Sequence, residues 1–361
     1  MGALIAMSGG VDSSVAAYLT LQTGERCVGA TMQLYRNEDL GWEPTRTCCS
    51  LADVSDARAV AHRLGMPYYV FNFVDEFRSQ VIDRFVRGYE AGETPNPCVD
   101  CNRFLKFGKL LHRARELELD RIVTGHYARI TRDGGSGRWL LQKAADDKKD
   151  QTYFLYAMTQ DHLAHTSFPL GGMTKTQVRE IAEEQGFRNA KKQDSQDICF
   201  VPDGDYLAFL TRYRGQAYPE GDLLDLAGNV VGRHKGAVGY TLGQRRGLDV
   251  AMGERVYVCA KCMEKNTVTL GPEESLYART MLVDDVNWIA LSELTGQVKA
   301  AVKARYRQTE QPAVLIPDEG GTVRVTFDEP QRAITPGQAA VFYDGETVIG
   351  GGTIRKVISD Q

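Results

Sequence analysis

The chain has 361 residues, 43% of them hydrophobic and 25% charged, with a formal net charge of −4. That length holds two or three domains with ample core, and no run of eighteen apolar residues marks a membrane span. The slightly acidic balance excludes a uniformly basic surface, so any nucleic acid must be held by local patches. Two such patches exist. Residues 103–132 carry eight Lys/Arg against three acidic residues, and Lys299, Lys303, Arg305 and Arg307 stand without an acid in 299–308. The first apolar run begins at once and leaves no room for a targeting peptide, which predicts a cytoplasmic protein.

In chain order, Met1 to Met7 reads as a strand that runs into Ser8-Gly9-Gly10-Val11-Asp12-Ser13-Ser14, a glycine turn opening a helix. Paired glycines let a backbone approach a ligand and reach φ > 0. The new helix turns its N–H groups and positive dipole end into the turn, a setting that favours phosphate. No Lys-Ser/Thr pair follows the glycines, so this is not the Walker loop, and the spacing is not that of the dinucleotide turn. A second strand is predicted over 27–32. Ser50-Leu51-Ala52-Asp53 reads as a capping box opening a helix to Leu64, which Gly65 and Pro67 stop. Strand 68–73, helix 76–89 and strand 121–125 follow. The alternation predicts an α/β fold with a doubly wound parallel sheet, whose ligands sit beyond the carboxyl ends of the strands. Gly10, Met32 and Gly125 fall at such ends and are predicted to share one pocket.

After Phe200-Val201-Pro202-Asp203-Gly204 the pattern changes to glycine and short strands, and from about Met281 the chain reads as all-β. Runs 323–327 and 339–343 are strands, and Asp344-Gly345 signals a hairpin. The expected organisation is an α/β domain over 1–203, a small mixed or β domain over 204–275 and a C-terminal β-barrel over 276–361.

Eight cysteines in a chain of this kind point to catalysis, metal or burial rather than a disulfide framework. Thr94-Pro95-Asn96-Pro97-Cys98-Val99-Asp100-Cys101-Asn102 reads as a rigid loop presenting two sulfurs. Cys199 sits in the polar run Asp194-Ser195-Gln196-Asp197-Ile198-Cys199. Cations lower a thiol's pKa, a part assigned to Arg103 and Lys106 for Cys101, and to Lys191 and Lys192 for Cys199. A second CxxC, Cys259-Ala260-Lys261-Cys262, reads as strand without flanking turn residues. With Cys27, Cys48 and Cys49 it is expected to be structural rather than to complete a zinc site.

Together these segments resemble the bacterial tRNA-specific 2-thiouridylases, of the superfamily whose PP-loop splits ATP into AMP and pyrophosphate. The likeness spans nearly the whole chain. It runs through residues 6–15, Cys48-Cys49-Ser50, Thr94-Pro95-Asn96-Pro97, Thr124-Gly125-His126-Tyr127-Ala128-Arg129, Lys149-Asp150-Gln151 and Ser195-Gln196-Asp197-Ile198-Cys199-Phe200. It continues through Gly239-Tyr240-Thr241-Leu242-Gly243-Gln244, Lys303-Ala304-Arg305-Tyr306-Arg307 and Thr335-Pro336-Gly337-Gln338. The resemblance implies ATP-dependent 2-thiolation of the wobble uridine of tRNAs for Lys, Glu and Gln, with Mg²⁺. A cysteine desulfurase or sulfur-relay protein would be the donor. It implies Cys199 as persulfide carrier and Cys101 as its partner, able to form a disulfide with it. ATP would meet Ala6, Met7, Ser8, Gly9, Gly10, Val11, Asp12, Ser13, Met32 and Gly125. Asn96, Pro97 and Cys98 would flank the target base. His126, Lys149, Asp150, Gln151, Arg305, Tyr306 and Gln338 would touch tRNA, with Tyr306 suited to stacking. One position departs: some members carry Asp where Cys98 stands. Cys98, Cys101 and Cys199 are also similar to the three-cysteine set of thiolases that hold a 4Fe-4S cluster. The three sulfurs therefore admit a persulfide route or a cluster route.

Overall fold

The computed structural model describes residues 2–36, 51–192 and 198–358. Strands β1 (Gly2–Ala6), β2 (Arg26–Gln33), β3 (Tyr68–Asn72) and β4 (Arg121–Val123) are joined by β7 (Thr166–Ser167), which follows a hairpin of β5 (Arg129–Arg132) and β6 (Trp139–Gln142). The five form a parallel sheet in the order β3-β2-β1-β4-β7. Central β1 is covered on both faces, and Ala3, Leu4 and Ile5 have no exposed surface. That is why it reads as an unbroken apolar run rather than an alternating one. Helices α1 (Val11–Leu21) and α2 (Leu51–Arg63) pack on the sheet. The box residue Ser50, and Cys48 and Cys49, lie outside the described residues.

The helix expected over 76–89 is a composite: α3 (Val74–Phe77), a π-helical turn (Arg78–Ile82) and α4 (Asp83–Glu90). Its buried face is Phe77, Val81, Ile82, Phe85 and Tyr89. The expected cysteine loop is instead the start of a second composite helix, α5 (Pro97–Asp100), a π-helical stretch (Cys101–Lys109) and α6 (Leu110–Glu116). The turn-formers that suggested a loop are its cap. Asn96 accepts the Cys98 N–H at 3.1 Å, and Pro97 occupies the first helical position, where its missing donor costs nothing. Cys98 and Cys101 are therefore three apart on one helix face.

Helices α7 (Thr152–Leu155), α8 (Gln160–Ala164), α9 (Lys175–Glu184) and α10 (Tyr206–Arg214) lead to the middle domain. There β8 (Gly221–Leu224), β9 (Val230–His234), β10 (Tyr257–Cys262) and β11 (Thr267–Gly271) pair in the order β10-β11-β8-β9. The last six strands are β12 (Tyr277–Trp288), β13 (Val298–Lys303), β14 (Gln311–Pro317), β15 (Val323–Arg332), β16 (Ala339–Asp344) and β17 (Thr347–Ile358). They run β12-β15-β14-β13-β16-β17 and close through β12–β17 into an antiparallel barrel around Val302, Leu315, Val325, Phe342 and Ile354. Closure removes the edges of the barrel sheet, and β6 docks beside β17 at Thr347–Gln142. The N-terminal domain is thereby stitched to the barrel. The Arg129–Glu346 pair at 2.6 Å reinforces the seam, as does Glu310, shared by Lys143 and Lys303.

Candidate active site

The two glycines of the first turn have different tasks. Gly9 has φ +75°, and a methyl there would lie 2.4 Å from the Asp53 carbonyl oxygen. Gly10 is extended (φ −87°, ψ 163°) and precedes α1 as its cap. Ser13 closes the turn: its hydroxyl accepts the Ser8 N–H at 3.2 Å and donates to the Gly10 carbonyl at 3.0 Å. Among the described residues no side chain caps α1, so the open end of this helix keeps its anion-binding character. Gly125, just past β4, backs directly onto the turn; a methyl there would be 2.7 Å from the Asp12 carbonyl carbon and the Ser13 nitrogen.

Four residues that the sequence did not mark as loop partners hold this turn from behind. Lys175 of α9 donates to both Asp12 carboxylate oxygens at 2.7 and 2.8 Å, and the Tyr127 hydroxyl donates to Asp12 at 2.8 Å. Asn189 donates to the Gly9 carbonyl and the Ser14 hydroxyl, each at 2.9 Å. Lys192 binds Asp53 at 2.6 Å, Asp56 at 2.8 Å and the Gly9 carbonyl at 3.3 Å. Lys192 thus serves the glycine turn. The available signal was the segment 189–192, of which the fold buries Asn189 and Ala190 while Lys192 stays half-buried.

A cavity of 370 Å³ joins the turn to the cysteines. Ala6, Met7, Ser8, Asp12, Ser13, Met32 and Gly125 line one side; of the three strand-end residues expected to share a pocket, Met32 and Gly125 do, while Gly10 borders the neighbouring groove. Pro97, Cys98, Cys101 and Cys199 line the other. Cys98 is exposed, while Cys101 and Cys199 are half-buried, and the Cys199 carbonyl is fixed by the Tyr35 hydroxyl at 2.8 Å. Gln193 to Asp197, leading to Cys199, lie outside the described residues.

The electrostatics of Cys101 differ from expectation. Burial pushes its thiol above the ordinary value of 9.0, and the Lys106 cation only partly opposes this. Arg103 is turned away onto Asp285, 3.2 Å from one oxygen. Lys106 is held instead by His126, Nζ to Nε2 3.3 Å, while His126 Nδ1 faces the Thr124 hydroxyl at 2.6 Å. Burial, and then the Lys106 charge, hold His126 well below 6.5, so the ring is neutral. A neutral ring that accepts from Lys106 through Nε2 carries its proton on Nδ1.

The other expected contacts divide. Lys149, Asp150, Gln151 and Tyr306 line a second, polar groove of 970 Å³, which shares Ser8, Asp12 and Gln151 with the first cavity. Val11 and Gly10 also border it. Tyr306 is 38% exposed and leans on Phe154 with ring centroids 4.3 Å apart, a platform open on one face. Asp150 is buried, accepting from the Ala144 N–H and the Thr152 hydroxyl, and desolvation raises its pKa above 3.8. Arg305 and Gln338 line neither space. The Arg305 guanidinium sits on the Leu242 and Ala333 carbonyls and the Thr335 hydroxyl, and the Gln338 amide sits on the Thr94 carbonyl. Among the described residues no three His, Cys, Asp or Glu side chains are grouped closely enough to hold a metal ion.

Residues 1–203 match the family described as tRNA methyl transferase HUP domain. Residues 207–272 match the tRNA methyl transferase PRC-barrel domain, and 278–354 the aminomethyltransferase beta-barrel domain. The tRNA-specific 2-thiouridylase MnmA of Acetivibrio thermocellus is 48% identical over 98% of each chain. The MnmA of Desulforamulus reducens is 49% identical over 99% of this chain and 98% of its own. That of Moorella thermoacetica is also 49% identical, over 98% and 99%. Among solved structures, a 4-thiouridine synthetase–RNA complex with bound ATP aligns with 56% of this chain and 45% of its own, at 18% identity and a TM-score of 0.36. An activation turn and three thiols around one cavity, on three matching domains and with near-full-length relatives at this identity, leave one assignment: the chain belongs to the tRNA-specific 2-thiouridylase family of sulfurtransferases.

Proposed function

We propose that the protein carries out ATP-dependent 2-thiolation of the wobble uridine of tRNA. The observation that carries this reading is the single 370 Å³ cavity lined by the glycine turn at one end and by Cys98, Cys101 and Cys199 at the other. An oxygen-activating end and a sulfur-bearing end within one small space suit the replacement of a carbonyl oxygen by sulfur.

ATP lies with its phosphates on the turn and the open end of α1. The uridine C2 oxygen attacks the α-phosphorus, N3 gives up its proton, and pyrophosphate leaves. Mg²⁺ would supply charge neutralisation for the departing pyrophosphate; the turn's own carboxylate, Asp12, accepts from Lys175 and Tyr127. Sulfur arrives as a persulfide on Cys199, charged by a cysteine desulfurase or a relay protein. Its terminal sulfur attacks C2, the C2–O bond breaks, and AMP departs with the oxygen. Cys101 thiolate then attacks the Cys199 Sγ and breaks the S–S bond. This releases 2-thiouridine as N3 regains its proton, and leaves a Cys101–Cys199 disulfide that a cellular dithiol reduces. Burial keeps Cys101 mostly protonated until this step, which protects a persulfide neighbour from premature attack. The tRNA stem-loop occupies the polar groove, where Lys149 and Arg307 meet phosphate and Tyr306 offers a stacking face. The substrates are tRNAs for Lys, Glu and Gln, and the enzyme acts in the cytoplasm.

The test is incubation with unmodified tRNA, ATP-Mg²⁺ and a persulfide donor, followed by mass analysis of the wobble nucleoside. The oxygen-to-sulfur mass gain is expected with the native protein and lost in Cys199→Ala and Cys101→Ala. No gain with the native protein refutes the reading.

A further inference from the structure

Among the described residues, two charged side chains line the 370 Å³ cavity, Asp12 and Lys106. Asp12 is matched by Lys175 at 2.7 Å. Lys106 has no carboxylate partner among the described residues; its ammonium rests on the neutral His126 ring, Nζ to Nε2 3.3 Å. That ring is itself fixed. Its Nδ1 faces the Thr124 hydroxyl at 2.6 Å, and Phe107 and Phe168 pack on it with centroids 5.9 and 5.7 Å away. Met32, Leu34, Phe77, Val81, Ile198 and Phe200 make much of the remaining wall apolar. A half-buried cation in such a wall, matched only by a neutral acceptor, favours an anion in the cavity.

The backbone aims Lys106 into this space. Cys101 and Lys106 are five residues apart, a spacing that leaves two side chains about 0.4 of a turn apart on an ordinary α-helix. The stretch Cys101–Lys109 is π-helical instead, and the Leu110 N–H reaches back five residues to the Leu105 carbonyl. The i→i+5 repeat brings residues five apart to one face, so the thiol and the cation both line the cavity.

We propose that Lys106 is a catalytic residue whose ammonium neutralises the negative charge that builds on the uracil ring as sulfur adds to C2. The inference rests on the thiolation reading. After adenylation the base is neutral, with a C2=N3 double bond. The terminal sulfur of the Cys199 persulfide, as its anion, supplies the electron pair of the new C2–S bond. The π pair of C2=N3 moves onto N3, so the adduct is an anion. That pair returns to re-form C2=N3 as the C2–O bond breaks, and the charge leaves on AMP. Lys106 gives up no proton in this sequence. It meets charge on the ring only while the adduct exists, so it favours the transition state over the bound adenylate.

Lys106→Gln, which keeps a donor for His126 and loses the charge, and Lys106→Arg, which keeps the charge, test this. Lys106 is half-buried at the cavity wall, so neither variant opens the core. Protein carrying a persulfide on Cys199 is mixed with saturating unmodified tRNA and ATP-Mg²⁺, and pyrophosphate and AMP formation are timed separately by rapid quench. Pyrophosphate formation is expected within about twofold of native in both variants. AMP formation should fall about a hundredfold to a thousandfold in Lys106→Gln and about tenfold in Lys106→Arg. The same comparison in a Cys101→Ala background separates this role from an effect on the Cys101 thiol. There the sulfur stays attached to Cys199, but AMP still forms, and Lys106→Gln should slow it by the same factor. A slowing that disappears in that background, equal slowing of pyrophosphate and AMP, or unchanged AMP formation each overturns the proposal. A native protein that forms neither pyrophosphate nor AMP with tRNA strikes the thiolation reading instead.

Discussion

Gly9→Ala and Gly10→Ala put the same methyl on adjacent residues and should give opposite results. At Gly9 the backbone is left-handed and the new Cβ falls 2.4 Å from the Asp53 carbonyl oxygen and 2.9 Å from its carbon, all backbone atoms. Left-handed strain and overpacking together cost about 2–5 kcal/mol, and no flexible side chain can yield to relieve them. Spread over a domain of this size, that lowers the melting temperature by roughly 4–20 °C. The strain also pushes the turn from α2, breaking the Asn189 and Lys192 bonds to the Gly9 carbonyl, so ATP binding should be lost with it. At Gly10 the backbone is extended and the nearest atom to a new Cβ is the Ser8 hydroxyl at 3.4 Å. That variant should melt within about 2 °C of native, because it has neither strain nor overlap. Differential scanning calorimetry with equilibrium dialysis of ATP reads both effects. A Gly9→Ala protein as stable as native, or a Gly10→Ala protein as damaged as Gly9→Ala, refutes the assignment of roles within the turn.

Lys175→Met leaves the Asp12 carboxylate facing the phosphate site with one fewer cation. The pair is only partly buried, so its loss should cost about 2 kcal/mol, less than a fully buried pair, and ATP turnover should fall further than stability does. Tyr127→Phe should be milder, about 1 kcal/mol for one hydrogen bond. His126 is neutral in the folded protein and charges near pH 6.5 when unfolded, so stability is lost as pH falls below 6.5 toward its depressed folded value. Denaturant titrations between pH 7 and pH 5 should therefore show a shallower slope in His126→Gln; an unchanged slope contradicts the buried neutral ring. The Cys101 thiol lies above 9.0, with Lys106 opposing that rise. Its alkylation should be slow at pH 8 beside exposed Cys98, and slower still in Lys106→Met, as followed by peptide mass mapping.

The parallel sheet and its pocket were legible because a buried central strand and a glycine turn have strong local signatures. Met32 and Gly125 could be placed in the pocket because strand ends converge by topology. The cysteine segment was misread for a physical reason. Asn96 and Pro97 are turn-formers in a loop but also the preferred cap and first residue of a helix, and only the following buried face of Leu105, Phe107, Leu110 and Leu111 decides between them. The expectation for Cys101 failed on burial, which counting nearby cations does not reveal. The tRNA contacts of Arg305 and Gln338 are implied by the resemblance at matched positions, and their intramolecular bonds could not be read from the sequence. Their partners, the carbonyls of Leu242, Ala333 and Thr94, lie 28 to 244 residues away in sequence. Lys175 and Asn189 were missed on the same ground of distance, and Lys192 was assigned to Cys199 because its carboxylate partners, Asp53 and Asp56, are equally remote in sequence.

The central claim is that one cavity couples splitting of ATP at the α-phosphate to transfer of sulfur from Cys199. Its most direct test is a single turnover with protein carrying a persulfide on Cys199, unmodified tRNA and ATP, with nucleotides and nucleosides counted together. One AMP, one pyrophosphate and one 2-thiouridine per persulfide consumed, with a Cys101–Cys199 disulfide left behind, is the predicted result. Thiolation accompanied by ADP and phosphate, or proceeding undiminished in Cys199→Ala, would contradict the account.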